Sequence, residues 1–273
     1  MTVSGSVDLD GRSVAPALAS LRELLADLGS VIVGFSGGAD SALLAYVAHD
    51  VLGPDRATAV TAVSPSLPAD ERDHCARLAS AWGLSWVEVE THEMLEAAYR
   101  RNDLDRCAHC KDALMDAVAP LAGPETTVTL GVNLDDLGDH RPGQSAAAAR
   151  GAQFPLVLAG FTKEMVRATS RELGLSTWDR PAAACLASRL PYGTPVTIER
   201  LGRVESAEAA LRALGFESLR VRDYGDTARI EVPLDRLGGV VARRGDVVEA
   251  VRGAGFGYVT LDLEGLRSGN LNP

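Results

Sequence analysis

Apolar residues recur along this chain with two different periods, and the places where the period changes divide it into elements. Val14, Leu18, Leu21, Leu25 and Leu28 fall at helical spacing, so a helix precedes the first strand. The run Val31 to Phe35 is continuously apolar and ends in small residues, as a buried strand does. Leu43, Leu44, Val47 and Ala48 then resume at the three-to-four spacing of a helix packed on a core. Residues 57–63 form a second apolar strand, and the turn SPSLPADER leads into a helix over about 69–82. SWVEVE (85–90) alternates as a strand; a helix starting near Lys111 leads to a strand over 127–132, and the alanines at 146–149 fit a further helix. Strands alternating with helices specify an α/β fold with a mostly parallel sheet. After about residue 193 the pattern changes. A helix over 198–214 is followed by alternating segments at 218–225 and 227–233, joined by a Gly-Asp turn that signals a hairpin. A helix near 244–254 and a strand over 256–263 complete an α-β-β-α-β set. Two domains are therefore expected, 1–193 around the parallel sheet and 194–273 as a smaller α+β domain, with the turn-rich PYGTP (191–195) at their junction.

Composition narrows the class. A chain of 273 residues, 46% of them hydrophobic, is long enough to bury a real core. No window reaches the ~18 apolar residues of a membrane span. The first residues, MTVSGSVDLDGRS, are polar and acidic, unlike a signal or transit peptide, so a cytoplasmic location is expected. A net charge of −10 speaks against a nucleic-acid partner, because a phosphate backbone usually demands a basic face. Four cysteines in such a chain read as metal-binding, catalytic or core residues rather than disulfides. Cys107 and Cys110 form a C-x-x-C, Cys185 lies far downstream, and Cys75 sits in the 69–82 helix.

Three stretches carry chemistry. In VIVGFSGGADSALLAYVA (31–48) a Gly-rich turn joins a strand to a helix N-terminus, where backbone N–H groups and the helix dipole favour an anion. The common phosphate loop needs a Lys at its end. Here Asp40 and Ser41 take that place, a carboxylate suited to Mg²⁺ and a hydroxyl suited to a phosphate oxygen, and the chain's two lysines, Lys111 and Lys163, lie elsewhere. GVNLDDLGDHRPG (131–143) sets Asn133, Asp135, Asp136 and Asp139 at a strand end, as Mg²⁺ and pyrophosphate handling requires, although an acidic helix cap has the same composition. PAAACLASRLPYGTP (181–195) puts the thiol of Cys185, the hydroxyl of Ser188 and the guanidinium of Arg189 on one irregular segment, where Arg189 is placed to lower the thiol pKa and bind a phosphate or carboxylate. A lone Cys is otherwise most often a small buried hydrophobe.

The SGGADS loop resembles that of the ATP pyrophosphatases (the PP-loop, or SGGxDS, superfamily), whose members cleave ATP between its α and β phosphates. Together, SGGADS, RCAHCKD (106–112), GVNLDDLGDHRPG and ACLASRLPYGTPV resemble the LarE-type sulfur transferases of nickel-pincer nucleotide biosynthesis. The resemblance implies an adenine-nucleotide α-hydrolase-like sheet and a homo-oligomer assembled through the second domain. It implies ATP and Mg²⁺ held by Ser36, Gly37, Gly38, Asp40, Ser41, Asn133 and Asp136. It also implies adenylylation of a carboxylate of pyridinium-3,5-biscarboxylic acid mononucleotide, a small-molecule nucleotide substrate, followed by its conversion to a thiocarboxylate. By the same resemblance Asp40, Cys185, Ser188 and Arg189 are expected to carry the catalysis, and Ser188, Arg189, Glu208, Arg220, Arg222 and Arg229 to contact the substrate; the last three arginines also fit a solvated face. In one branch of the family the Cys185 position gives up its own sulfur. In another, three cysteines, here Cys107, Cys110 and Cys185, hold a [4Fe-4S] cluster with one iron open for sulfide. Three cysteines favour the cluster over zinc or over a redox pair with Cys185 sacrificed. The enzyme would act between a substrate-making carboxylase/hydrolase and a nickel insertase. Rival readings are another PP-loop enzyme, a tRNA thiolase or an ammonia-dependent synthetase, and a non-catalytic nucleotide-binding module with structural zinc.

Overall fold

The computed structural model describes residues 14–138, 142–180 and 184–267. The chain resolves into two compact units, one of residues 1–93 and 107–183, the other of residues 94–106 and 184–273.

The first unit is built on four strands: β1 (Ser30–Gly34), β2 (Ala57–Val63), β3 (Ser85–Glu90) and β4 (Thr126–Leu130). All pairings are parallel, in the order β3-β2-β1-β4. Alternate residues of β1 feed opposite layers, which is why its run is apolar throughout. Val31 and Val33 face a core shared with the helices Ala15–Leu28, Ala39–Leu52, Ala69–Trp82 and Lys163–Glu172. Ile32 faces a second core with Leu114, Met115 and Val118 of the helix Arg106–Val118. The sheet is thus sandwiched between helices on both faces, the α/β arrangement expected. Two elements differ from the sequence reading. The Arg106–Val118 helix begins five residues before Lys111, so Cys107 and Cys110 lie within its first five residues. The amphipathic helix Lys163–Glu172, with Thr162 capping Met165 N, had no counterpart in the apolar pattern.

The second unit holds β5 (Arg220–Tyr224), β6 (Thr227–Glu231) and β7 (Tyr258–Leu261). β5 and β6 form the expected hairpin, and β7 joins β6 in parallel. The helices Ile198–Ala213 and Arg244–Gly253 pack together; their Leu201, Val204, Leu211, Val247 and Val251 are buried with Val221, Ala228 and Ile230 of the sheet. The division differs from the one at 193/194. Residues 184–193 belong with the second unit, and so does the excursion 94–106, whose Tyr99 and Asn102 are fully buried. Long-range hydrogen bonds between these two stretches override the turn signal at PYGTP. Among the described residues no helix is long and apolar enough to cross a membrane.

Candidate active site

In open parallel sheets ligands bind beyond the carboxyl ends of the strands, where the strand order reverses. Here that point lies between β1 and β4, because β2 departs from β1 to one side and β4 lies on the other. The SGGADS loop leaves β1 at this point. Its entry is fixed from β2 and β3: Phe35 N donates to Val60 O at 2.7 Å, Thr61 Oγ1 donates to Phe35 O at 2.7 Å, and Trp86 Nε1 donates to Thr61 Oγ1. Gly37 turns the loop at φ 70°, and a Cβ there would meet His74 Cδ2 at 2.9 Å and Cys75 Sγ at 3.1 Å, so glycine is required twice over. Ser41 ties the loop into a ring: its Oγ donates to Gly38 O, accepts from Ser36 N at 3.2 Å and lies 3.1 Å from Ser36 Oγ. The helix Ala39–Leu52 starts at Gly38 with no side-chain cap, leaving its N-terminus for an anion.

The loop after β4 closes on this helix. Gly131 packs so tightly against it that a Cβ would fall 2.6 Å from Ser41 N. Asn133, fully buried, donates from Nδ2 to Asp40 Oδ1 at 2.8 Å, while its Oδ1 accepts from the backbone N of Asp135 and Asp136. Asp136 Oδ2 in turn accepts from Asn133 N. Burial pushes the Asp40 carboxyl above its ordinary value; the Asn133 bond opposes this, the charge of Asp136 adds to it, and Lys163 draws it back. Lys163 was not singled out from the sequence. Its backbone N donates to Asp135 Oδ2 at 2.6 Å, and its scarcity among 27 basic residues was the available signal. The sequence-nominated Ser36, Gly37, Gly38, Asp40, Ser41, Asn133 and Asp136 are therefore brought together. Asp139 lies outside the described residues.

A hard cation held by one or two carboxylates together with ligand phosphates suits a half-buried Asp40 beside Asp136, since added positive charge would relieve both. The residues fit Mg²⁺ in that role. Among the described residues, no group of three or more His, Cys, Asp or Glu is assembled to hold a metal. Cys107 is exposed and Cys110 half-buried on the Arg106–Val118 helix of the first unit, whereas Cys185 belongs to the second. Two of the three expected cluster ligands thus lie at helical spacing on one helix, and the third belongs to the other unit.

In the second unit the Cys185 thiol is half-buried at the start of the short turn Leu186–Arg189. Ser188 Oγ donates to Cys185 O at 2.7 Å. Arg189, 2% exposed, faces Glu208 as a bidentate pair (2.9 and 3.0 Å), and its Nη1 donates to the carbonyls of Ala184 and Cys185. Its guanidinium is engaged by the Glu208 carboxylate and by the backbone of the Cys185 segment. Burial raises the Glu208 carboxyl, but the charge and hydrogen bonds of Arg189, the Val221 N–H and the charge of Arg220 outweigh it and hold the pKa below the ordinary value. The three sheet arginines separate. Arg222 pairs with Glu231 through Nε and Nη2 and donates to Ser188 O; Arg229 pairs with Glu231 and Asp262. Arg220 alone of the three has no carboxylate within ion-pair distance among the described residues; its Nη1 donates to Leu219 O. Burial, then the charge of Arg189, pushes its pKa down to about 10, while the charge of Glu208 opposes the shift.

The NAD synthase family profile matches residues 17–116, the segment from the first helix through the C-x-x-C. The chain is 37% identical over 262 residues to the pyridinium-3,5-bisthiocarboxylic acid mononucleotide synthase of Lactiplantibacillus plantarum, covering 95% of each chain. It is 44% identical over 260 residues to an uncharacterized protein of Synechocystis, covering 93% of this chain and 96% of that one. An uncharacterized protein of Methanocaldococcus jannaschii is 24% identical over 240 residues.

Proposed function

The chain belongs to the LarE-type family of the pyridinium-3,5-bisthiocarboxylic acid mononucleotide synthase, among the PP-loop enzymes, and on that footing we propose that it is an ATP-dependent sulfur transferase acting on a carboxylate of pyridinium-3,5-biscarboxylic acid mononucleotide. The observation that carries the reading is the joint between the two loops, where Asn133 grips Asp40 beside an uncapped helix N-terminus.

In the proposed route a carboxylate oxygen of the substrate attacks the α-phosphorus of ATP. The bond from that phosphorus to the bridging oxygen breaks, and pyrophosphate leaves behind an acyl-adenylate. The helix N-terminus at Gly38, the hydroxyls of Ser36 and Ser41 and the ammonium of Lys163 receive the pyrophosphate charge. Asp40 and Asp136 would hold Mg²⁺, which supplies charge neutralisation at the phosphate oxygens. A sulfur nucleophile then attacks the acyl carbon and AMP leaves; adenylylation is needed because a bare carboxylate is a poor electrophile. With Cys185 as donor, its Sγ bonds to the acyl carbon. Loss of the Cα proton then breaks the Cβ–Sγ bond, releasing the thiocarboxylate and leaving dehydroalanine. Arg220 takes the substrate's phosphate or free carboxylate, and Ser188, Arg189, Glu208, Arg222 and Arg229 shape the segment around it.

A second reading of the sulfur source is favoured by the exposed Cys107 and half-buried Cys110, three apart on one helix. With Cys185 they would ligate a [4Fe-4S] cluster, which would supply external sulfide and spare the thiol. The protein is further proposed to be a homo-oligomer acting between a substrate-making carboxylase/hydrolase and a nickel insertase. The test is product analysis after incubation with ATP, Mg²⁺ and the biscarboxylic mononucleotide. AMP, pyrophosphate and a product with one oxygen replaced by sulfur are expected; ADP as the main nucleotide would sink the reading. Iron content after anaerobic reconstitution, and product per chain when sulfide is supplied, separate the two sulfur sources.

A further inference from the structure

We infer that Asn102, with Arg106 as its arm, is a positioning residue for the Cys185 thiol, an inference that rests on the sulfur-transfer role proposed for that thiol. An irregular backbone segment inside a protein must find donors for its carbonyls. The stretch around Cys185 finds them in side chains both near and far along the sequence. Arg189 takes Ala184 O and Cys185 O, Arg106 Nη1 takes Ala187 O at 2.9 Å, and Arg222 takes Ser188 O at 2.8 Å. The following turn is held by Asn102, whose Nδ2 donates to Pro191 O at 2.8 Å and Thr194 O at 2.9 Å, with Leu190 O at 3.4 Å. Asn102 Oδ1 accepts from the same Arg106 Nη1 that reaches Ala187, and the Arg106 guanidinium lies over the Tyr192 ring at 5.8 Å. The backbone completes the clamp: Asn102 O accepts from Gly193 N and Arg100 O from Val196 N.

The choice of Asn is specific. The helix Ala97–Arg101 ends on this residue at φ 59°, the sole positive φ of a non-glycine residue among those described, and Asn tolerates that conformation. Only an amide offers two donors and an acceptor on so short a stem. It is also fully buried, so its amide depends on these partners for its hydrogen bonds. Together the donors fix the direction in which the Cys185 Cα–Cβ bond points. A thiol that must meet an acyl carbon at about 3–3.5 Å gains from such fixing, since a small misplacement costs rate.

The test uses the full-length protein with Asn102→Asp, which keeps the acceptor and the backbone preference but loses the donors, and Arg106→Lys, which keeps charge but loses the fork. Peptide-resolved alkylation of Cys185 is followed without substrate, beside AMP formation, thiocarboxylate yield and thermal midpoint. We expect Cys185 to be alkylated about tenfold faster in either variant, the size of one or two lost hydrogen bonds. Thiocarboxylate yield should fall by a similar factor while AMP formation stays within about twofold. Folded variants with unchanged Cys185 alkylation and unchanged thiolation would overturn the inference. So would a parallel collapse of AMP formation, which marks a general structural role. Should Asn102→Asp fail to fold, Arg106→Lys, which leaves the Asn102 donors in place, decides alone. Failure of the parent protein to make thiocarboxylate would strike the proposed function, whereas the alkylation comparison needs no substrate and would still stand.

Discussion

Gly131→Ala isolates the contact between the two nucleotide loops. The added methyl would lie 2.6 Å from Ser41 N and 2.8 Å from both Asp40 C and Ser41 Cα, all backbone atoms that cannot swing aside. Gly131 has no positive φ, so the strain is steric alone. Ordinary contact begins at 3.4 Å, so the β4 loop must retreat by about 0.8 Å from the helix N-terminus. That retreat is carried to Asn133 two residues on, whose 2.8 Å bond to Asp40 would lengthen past hydrogen-bonding range. Overpacking of this kind costs about 1–3 kcal/mol of stability. A misplacement near 1 Å at a reacting centre costs on the order of 100-fold in rate. Pyrophosphate release measured with saturating substrate should therefore fall by about that factor, with a smaller loss in ATP affinity by calorimetry. Gly138→Ala, whose Cβ meets nothing within 4 Å, serves as the matched control and should behave as the parent. If Gly131→Ala released pyrophosphate and bound ATP as the parent does, the loop joint would have no part in ATP cleavage.

Four further outcomes are expected. Asp40→Asn should abolish pyrophosphate release yet leave the thermal midpoint unchanged or slightly raised, because burial already disfavours the charged carboxylate; calorimetric scanning beside the activity assay checks both. Cys185→Ala should still form AMP but yield no thiocarboxylate, and normal thiolation by this variant would remove Cys185 from the chemistry. Glu208 has its pKa held down in the folded state, so its contribution to stability is complete above its ordinary 4.5 and is lost as pH falls through the lower folded value. Glu208→Gln should lose about 3–5 kcal/mol at neutral pH by stranding Arg189, and should flatten the acid limb of the denaturation profile below about pH 5. Cys75, buried and pushed up to about 11, should resist iodoacetamide at pH 8 under conditions that label the exposed Cys107, as peptide mapping will show.

The parallel sheet was legible because its strands are short apolar runs closed by turn residues; β2, β3 and the helix Ala69–Trp82 fall where periodicity puts them. The nucleotide loop was legible for a similar reason, since six consecutive residues carry it. What escaped the sequence depends on partners far apart. Nothing near Arg189 announces that Glu208 will consume its guanidinium, and Arg222 and Arg220 read alike until Glu231 pairs with one of them. Residues 94–106 gave no sign of their unit, because the bonds from Asn102 span 88 to 92 residues. Lys163 was hidden by an amphipathic helix whose exposed face leaves few apolar positions to count.

The second unit is assembled from two stretches of chain separated by the whole of Cys107–Ala183. On the ribosome this imposes an order of events. Residues 94–106 emerge first and must wait, without their partners, while the intervening stretch is synthesised, roughly 4–15 s at 5–20 residues per second. During that interval Tyr99 and Asn102, buried in the finished protein, are open to chaperones and proteases. A fragment beginning at Ala184 would lack the same residues and start with four carbonyls deprived of their side-chain donors, those of Ala187, Leu190, Pro191 and Thr194, and with the amides of Gly193 and Val196 deprived of their acceptors. Nascent-chain protease protection should accordingly appear late, after the Cys185 segment has cleared the exit tunnel, rather than stepwise with chain length.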